Sequence, residues 1–202
     1  PIVIRIIIGR GWGNGAQHSQ SLEAMFSHIP GLKVVTPSNA YDAKGLLSAS
    51  VEDNNPIIFL EHRWLHNTSS YVPKKNYRSK IGKGKIITKG NEVTIIAFSY
   101  GVVLAIEANK IMKKYNINAE IIDLISLRPL DKELIINSIK KTKKVLVIDN
   151  GLLKYGISSE IIALISENIY NILLKPPLRI GIDDNIIPSS SNLSHLCYPS
   201  VV

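Results

Sequence analysis

The stretch that decides the fold is "EVTIIAFSYGVVLAIEANKIMKKYNINAEIIDL", residues 92–124. It begins with the apolar run "VTIIAF", continues through a segment with apolar residues at helical spacing, and ends with the second run "AEIIDL". Two short apolar runs separated by a helix are typical of a β-α-β unit, in which the two strands are parallel. The stretch therefore predicts an α/β fold with a parallel sheet.

The same alternation continues on both sides of this stretch. Towards the C-terminus it predicts helices in "DKELIINSIKKT" and "SSEIIALISENIY", and strands in "KVLVIDN" and "LRIGI". Towards the N-terminus it predicts strands in "PIVIRIII", "LKVVT" and "PIIFLE", and helices in "QHSQSLEAMFSHI" and "NAYDAKGLLSASVED". The continuous β-branched run "PIVIRIII" is typical of a strand buried on both faces. The chain therefore predicts two successive α/β units with mostly parallel sheets.

A segment without periodicity separates the two units. Residues 62–91 collect Pro, Gly, Asn and Lys, which is typical of a crossover or a linker. We therefore expect a first domain over residues 1–72, a linker over 73–91 and a second domain over 92–202.

Composition narrows the class of protein. The chain has 202 residues, 45% of them hydrophobic and 20% charged, and contains a single cysteine. These values are those of an ordinary globular protein with no intrachain disulfide, and they favour a reducing compartment. The sequence shows neither a signal peptide nor an apolar run long enough for a membrane span. Because the chain opens at Pro1 directly on a strand, we expect it to be a fragment of a longer protein.

The net charge of +8 raises the possibility of a nucleic-acid partner. The lysines are scattered at loops and helix ends, with no basic strand face interleaved with aromatic residues and no recognition-helix pattern. We therefore interpret them as solvated surface lysines and expect no nucleic-acid partner. A basic surface that docks an acidic partner is the functional alternative.

The glycine-rich loop "GRGWGNGAQHSQ", residues 9–20, first suggests a dinucleotide site. Gly11, Gly13 and Ala16 match G-x-G-x-x-A after a strand and before a helix. That fingerprint requires an acidic residue about 20 positions further on, and the next strand ends in "VVTPS" without a carboxylate. The nucleotide interpretation is therefore disfavoured, and no P-loop motif occurs in the sequence.

His18 is the strongest candidate for chemistry in this loop. It lies where the loop meets the predicted helix, at the end of a strand, where open α/β sheets place their ligands. A histidine there can exchange protons near neutral pH and so act as a general acid or base. A histidine that only forms hydrogen bonds to the loop backbone fits the spacing equally well, so the residues alone leave both interpretations open.

Three other motifs were considered as sites. His62 and His66 stand four apart, but Arg63 occupies the position at which a zinc-protease helix needs glutamate, so zinc is not expected. The segment "EDNNP", residues 52–56, is typical of a turn, in which Asp and Asn bond nearby backbone amides. It could also form a hard-cation site that uses Asp53 and backbone carbonyls. The serines of "PSSS", residues 188–191, lack the context of a nucleophile elbow.

Several longer motifs carry a family resemblance. The segments are "GAQHSQSLEAMFSHIPGLKVV", "DNNP", "IGKGKI", "IIDLISLRPLD" and "VLVIDNG". With these motifs the chain resembles, over nearly its whole length, the beta subunit of the thiamine-diphosphate-dependent component of 2-oxo acid dehydrogenases, such as pyruvate dehydrogenase. The resemblance implies the C-terminal part of a pyrimidine-binding domain over 1–72 and a slightly truncated transketolase C-terminal domain over 92–202.

The resemblance also implies the site residues. His18 would be the catalytic histidine that handles protons during decarboxylation and acyl transfer, so the glycine loop would serve as its frame. A structural potassium ion would be held, mostly through backbone carbonyls, by Ile2, Ser50, Val51, Asp53 and Asn55. The glutamate that activates thiamine would lie upstream of Pro1. The diphosphate and its Mg²⁺ would be held mainly by a separate alpha subunit, and this chain alone is expected to be inactive.

The expected reaction is oxidative decarboxylation of a 2-oxo acid on thiamine diphosphate, with acyl transfer to lipoamide, as at the end of glycolysis. The expected partners are an alpha subunit in an α2β2 assembly, a dihydrolipoyl acyltransferase core and its lipoyl domain. The expected location is the cytoplasm or an organelle matrix, without secretion or membrane attachment. An acetoin dehydrogenase, a transferase like transketolase or deoxyxylulose-phosphate synthase, and a non-catalytic truncated subunit stay open as alternatives. The 2-oxo acid itself is left open.

Overall fold

The computed structural model describes residues 1–9 and 13–201. Over these residues, strands and helices alternate along the chain as the sequence pattern predicts, and they assemble into two sheets. The predicted α/β fold with mostly parallel sheets is confirmed. Within the described ranges, no helix combines the length and apolarity needed to cross a membrane.

The first sheet contains four strands within the described residues, in the order β1-β3-β2-β7. These strands are β1 (Val3–Ile8), β2 (Lys33–Val35), β3 (Ile57–His62) and β7 (Ser126–Arg128). β1 and β2 pair with β3 in parallel, so their carboxyl ends meet at one edge of the sheet. β7 pairs with β2 in the antiparallel direction and is contributed by the second half of the chain.

The second sheet has the order β4-β6-β5-β8-β9. Its strands are β4 (Lys85–Thr88), β5 (Val93–Ala97), β6 (Ala119–Asp123), β8 (Val145–Leu152) and β9 (Leu178–Ile182). The last four are mutually parallel, and β4 pairs with β6 in the antiparallel direction. Consecutive strands β5 and β6 lie side by side, as expected for the β-α-β unit of residues 92–124.

Seven α-helices connect or flank these strands within the described residues. They are α1 (Gly15–His18), α2 (Glu23–Ser27), α3 (Ala40–Glu52), α4 (Tyr100–Met112), α5 (Lys132–Thr142), α6 (Ile157–Ile169) and α7 (Ser191–Ser194). The predicted N-cap of α3 is confirmed, because the Asn39 side chain accepts a hydrogen bond from the Asp42 N–H at 2.9 Å. One continuous apolar core joins Ile58 and Leu60 of the first sheet to Ile96 and Ile122 of the second.

Two local predictions were wrong, and the segment predicted as a linker contains one strand. The strand β1 is not buried on both faces, because it forms an edge of the described sheet, and its Ile4 and Ile7 are 43% and 52% exposed. The helix predicted over residues 17–29 is two short helices, because the Gln20 carbonyl between them accepts the Gly9 N–H at 2.9 Å. The predicted linker is not irregular throughout, since β4 within it pairs with β6 at the sheet edge.

Buried polar side chains tie the first sheet to the second. Ser38, which follows β2, donates a hydrogen bond to the carboxyl group of Asp123 at the end of β6. The carboxylate of Asp42, in the first turn of α3, accepts from Ser79 Oγ at 2.9 Å and pairs with Lys85 of β4. Burial raises the pKa of Asp123 to about 7, so this carboxyl group titrates near neutral pH. The relative position of the two sheets is therefore fixed by specific bonds as well as by apolar packing.

Asn150, at the carboxyl end of β8, fixes the start of α4. Its Oδ1 accepts from the Gly101 N–H at 2.8 Å, and its Nδ2 donates to the Phe98 carbonyl at 2.9 Å. Ser99, between those two residues, has φ of +52°. The Gly101 N–H also donates to the Phe98 carbonyl at 3.0 Å, so the Asn150 amide adds a second partner to each of these two backbone groups at the helix start.

We expect Asn150→Ala to lower the free energy of unfolding by about 1–3 kcal/mol, because two hydrogen bonds to backbone groups at the start of α4 are lost. Asn168→Ala is the matched control, since Asn168 is exposed on α6 and donates a hydrogen bond only within its own helix. The control is expected to change stability by less than about 0.5 kcal/mol. Urea unfolding measures both, and equal losses would contradict the role given to Asn150.

A candidate active site between the two sheets

His18 lies at the last position of α1, and its side chain is exposed. Among the described residues, the structure records no hydrogen bond or ion pair to its imidazole, whereas its backbone is held in place. The Nη2 of Arg63 donates to the His18 carbonyl at 3.4 Å. The imidazole is therefore presented to solvent by a fixed backbone, which is the arrangement that proton exchange with a guest molecule requires.

The glycines before His18 are needed where they stand. Gly13 and Gly15 have φ of +70° and +68°, a backbone conformation that residues with a side chain rarely adopt. A Cβ at Gly15 would also lie 2.6 Å from Ser189 Oγ of the C-terminal segment. The glycines therefore give the backbone before His18 one defined shape. Gly11, on which the dinucleotide motif also depended, lies outside the described residues, so that motif is not tested.

The segment that follows His18 rests on the second domain. Ser19 is buried, and its carbonyl accepts from the Tyr198 hydroxyl at 3.4 Å. Ser21 Oγ donates to the Asn150 carbonyl at 3.0 Å. The first sheet thus provides the strand end from which the His18 loop departs, and the second domain provides the surface on which the loop is held.

His62 and His66 take different partners. The His62 ring is buried, stacks on Tyr100 with 5.1 Å between ring centroids, and accepts the Trp64 N–H at Nδ1 at 3.2 Å. His66 Nε2 lies 3.4 Å from the carboxylate of Glu61. Over the described ranges, the chain gathers no group of three or more His, Cys, Asp or Glu side chains that could hold a metal ion.

Gly9 allows His62 to occupy this position. A Cβ at Gly9 would lie 2.3 Å from His62 Nε2, and the glycine also has φ of +78°. The end of β1 therefore packs directly against the imidazole at the end of β3. This close approach explains the first glycine of the loop as a packing requirement.

A cavity of about 330 Å³ opens beside β3 and the start of α3. Its charged wall includes Arg5, Glu61 and His66, and these three side chains already bind one another. His62 forms part of the wall, whereas His18 does not. This cavity is therefore not lined by the His18 segment.

The residues expected to hold potassium lie around the N-terminus of β3. The Asp53 carboxylate accepts from Lys33 Nζ at 2.5 Å and from Asn55 Nδ2 at 2.7 Å, and these hydrogen bonds lower its pKa to about 2. The Ile2 carbonyl accepts from the Ile57 N–H at 2.9 Å. Ser50 Oγ is buried without a partner among the described residues. A cation here would thus meet carbonyl and hydroxyl oxygens, since the Asp53 carboxylate is already paired.

Residues 82–201 match the family model of the transketolase C-terminal domain, and residues 1–68 match that of the transketolase pyrimidine-binding domain. The chain belongs to the transketolase C-terminal domain family. The resemblance drawn from the sequence motifs is confirmed at this level.

Curated relatives of this chain include beta subunits of two kinds of enzyme. The beta subunit of acetoin:2,6-dichlorophenolindophenol oxidoreductase from Bacillus subtilis (strain 168) is 40% identical over 200 residues, which are 99% of this chain and 58% of that protein. The beta subunit of the pyruvate dehydrogenase E1 component from Rickettsia conorii is 40% identical over 99% of this chain and 61% of its own length. The mitochondrial beta-1 subunit of the same component from Oryza sativa subsp. japonica is 40% identical over 100% of this chain and 55% of its own length.

The chain therefore spans 55% to 61% of the length of these relatives. Among solved structures, a split-gene transketolase in an inactive beta4 tetramer superimposes with a TM-score of 0.78 over 96% of this chain and 61% of that one. Its sequence identity of 23% shows the shared fold alone.

Sequence reasoning missed two residues of this region. Arg63 was considered only as the residue that breaks a zinc motif, although a cation directly after a parallel strand is itself a signal for a ligand site. Glu23 was counted as part of a helix, but it is 2% exposed, and one carboxyl oxygen has no partner among the described residues. Nothing in the local pattern distinguishes Glu23 from an exposed first-turn glutamate.

Glu23 faces Asp149 across the boundary between the two sheets. Burial, followed by repulsion from Asp149, raises the pKa of Glu23 from 4.5 to about 8. Burial also raises the pKa of Asp149, although its carboxylate accepts the N–H groups of Gly151 and Ser158 at 3.0 and 2.8 Å. At neutral pH Glu23 therefore keeps its proton.

The pKa of Glu23 predicts a pH dependence of stability. Between pH 4.5 and about 8 the folded chain holds a proton that the unfolded chain releases, so stability falls as pH rises across this window. Glu23→Gln keeps the site neutral and should flatten this fall, gaining a few kcal/mol over the wild type near the upper end. The control is Glu167→Gln, an exposed position on α6. Urea unfolding from pH 5 to 9 measures the difference, and parallel curves for all three proteins would refute the prediction.

Proposed function

We propose that this chain is the beta subunit, or part of it, of a 2-oxo acid dehydrogenase that decarboxylates a 2-oxo acid on thiamine diphosphate and transfers the acyl group to lipoamide. The observation that carries the proposal is the exposed His18 imidazole, presented at the carboxyl edge of the first sheet by a backbone that both domains hold. The relatives at 40% identity support it, since they are named beta subunits of pyruvate dehydrogenase and of acetoin oxidoreductase.

In this function His18 moves a proton between its ring and the reacting group. A neutral imidazole can accept at one ring nitrogen while the other donates, so the same residue serves as base in one step and acid in the next. Thiamine diphosphate, when bound, supplies the electron sink for decarboxylation. The chain's own contribution is to orient the histidine: Arg63 binds its carbonyl, Ser21 anchors the segment that follows it, and Gly13 and Gly15 supply the turns.

We propose that the remaining parts of the cofactor site come from an upstream segment of the protein and from the alpha subunit. The activating glutamate belongs to sequence upstream of Pro1, and the alpha subunit holds the diphosphate and Mg²⁺. The assembly is α2β2, and the acyltransferase core and its lipoyl domain dock onto it. The net charge of +8 suits acidic docking partners. The proposed location is the cytoplasm or an organelle matrix, as for a bacterial or a mitochondrial relative.

Acetoin is the second candidate substrate. The Bacillus subtilis acetoin oxidoreductase subunit is 40% identical, the same value as for the pyruvate dehydrogenase subunit from Rickettsia conorii. Overall similarity therefore does not choose between an anionic 2-oxo acid and a neutral hydroxyketone. The choice depends on the charge of the side chains around the substrate.

The proposed function predicts a specific effect of His18. In the enzyme assembled with its alpha subunit, we expect His18→Ala to lower the rate of dye reduction on the preferred 2-oxo acid by about 10²- to 10⁴-fold. Thiamine diphosphate binding should persist, because His18 has no role in holding the diphosphate. The matched control is His28→Ala, an exposed histidine at the end of α2.

The assay panel contains 2-oxo acids, acetoin and sugar phosphates. Activity on sugar phosphates alone would move the chain to a transketolase-type reaction. Loss of thiamine diphosphate binding in His18→Ala, or an equal loss in His28→Ala, would contradict the catalytic role of His18.

Potassium binding by Ile2, Ser50, Val51, Asp53 and Asn55 makes a separate prediction. The buried Ser50 Oγ without a partner supports an oxygen-rich site, and the neutral carbonyls beside it suit a monovalent ion. At equal ionic strength, potassium chloride should raise the free energy of unfolding over choline chloride by about 1–3 kcal/mol, the effect of saturating one site. Thermal unfolding in potassium, sodium and choline salts measures this, and identical midpoints would reject the site.

A further inference from the structure

Arg63 lies beside the proposed catalytic histidine with part of its guanidinium unused. It follows β3 directly, at the edge where the parallel strands of the first sheet end. Its Nη2 donates to the His18 carbonyl at 3.4 Å. Its Nε is buried and has no hydrogen-bond partner among the described residues. A buried N–H of a charged group without a partner is unfavourable, so such a group is expected to be completed by a ligand.

Among the residues that the structure describes, no carboxylate pairs with this arginine. Over residues 1–9 and 13–201, no ion pair involves Arg63. The acid closest to it in sequence is Glu61, and its two oxygens are taken by Arg5, at 2.5 and 3.0 Å, and by His66, at 3.4 Å. The guanidinium next to His18 is therefore a positive charge without a counterion in the described part of the chain.

We propose that Arg63 binds the carboxylate of the 2-oxo acid substrate and so selects an anionic substrate over a neutral one. Guanidinium groups bind carboxylates in a planar, two-pronged geometry, and they stay charged at every pH at which the protein folds. The bond from Nη2 to the His18 carbonyl places this charge beside the residue that moves the proton. The inference rests on the proposed function and deepens it, since it names the charge that would favour a 2-oxo acid over acetoin.

The first test detects carboxylate binding without any catalysis. In the 202-residue chain, the ¹H–¹⁵N signal of Arg63 Nε–H is followed by NMR during titration with pyruvate and with pyruvamide, its neutral isostere. We expect pyruvate to shift the Arg63 signal and the His18 ring signals, and pyruvamide to leave them in place. Arg63→Gln should abolish the His18 response, and Arg78→Gln, an exposed arginine paired with Glu52, should preserve it. Equal responses to both probes, or no response to pyruvate, would overturn the proposal.

The second test uses the enzyme assembled with its alpha subunit. Arg63→Gln should raise the KM for the preferred 2-oxo acid by about 10- to 100-fold, the loss expected for a hydrogen bond to a charged group, and any fall in kcat from lost support of the His18 carbonyl should be the same for acetoin. The KM for acetoin should stay unchanged, and Arg63→Lys should restore part of the difference. A side chain that only supports the His18 backbone would change both substrates together, and that result would overturn the proposal.

The two tests separate this inference from the proposed function. An assembled wild type that is inactive on every 2-oxo acid rejects the proposed function, whereas the pyruvate titration still reports whether Arg63 binds a carboxylate. If Arg63→Gln instead prevents assembly with the alpha subunit and pyruvate leaves the Arg63 signal unmoved, the guanidinium serves a partner's carboxylate and the proposal is wrong.

Discussion

The carboxyl end of β8 is the point on which the rest of the structure depends. Asn150 closes the turn before α4 with its side chain, and its carbonyl accepts the hydroxyl of Ser21 from the His18 segment. Asp149, one residue earlier, binds the Ser158 N–H at the start of α6 and faces Glu23 of α2. The starts of α4 and α6 and the candidate catalytic segment are thus held by two adjacent residues. A substitution that moves the Asn150 backbone would therefore also move the His18 segment, because the Asn150 carbonyl binds Ser21.

Much of the fold could be predicted from the sequence because its signals are local. The strands β5 and β6 and the helix between them follow from apolar spacing, and the α3 start follows from Asn39. The strand β7 could not be predicted in this way. It has three residues and pairs with β2, about ninety positions earlier in the chain, so its only cause is a contact between distant segments. The break after His18 has the same origin, in the bond from Gly9 to Gln20.

The candidate site could be predicted in part for the same reason. His18 was identifiable because a strand, a glycine loop and a histidine follow one another in sequence, and the family resemblance supplied a role that remains a prediction. The glycines were ambiguous, since a phosphate loop and a rigid frame use the same residue. Their geometry separates the two: Gly9 lies directly against the His62 ring, and both Gly9 and Gly15 have a positive φ that residues with a side chain rarely adopt. Glu23 gave no pattern, because burial and the lack of a partner are properties of the folded chain, whereas Arg63 carried a signal in its position directly after a strand.

Two side chains of the first domain, Glu23 and Arg63, set the charge around His18. Glu23, held neutral by burial against Asp149, adds no negative charge beneath the loop at neutral pH. Arg63, from the first domain, adds a positive charge without an internal counterion among the described residues. Burying a carboxyl group that must keep its proton lowers stability in alkaline solution. Such a cost is understandable where the ionised group would weaken the attraction of an anionic ligand, so the neutral Glu23 supports the positive charge of Arg63.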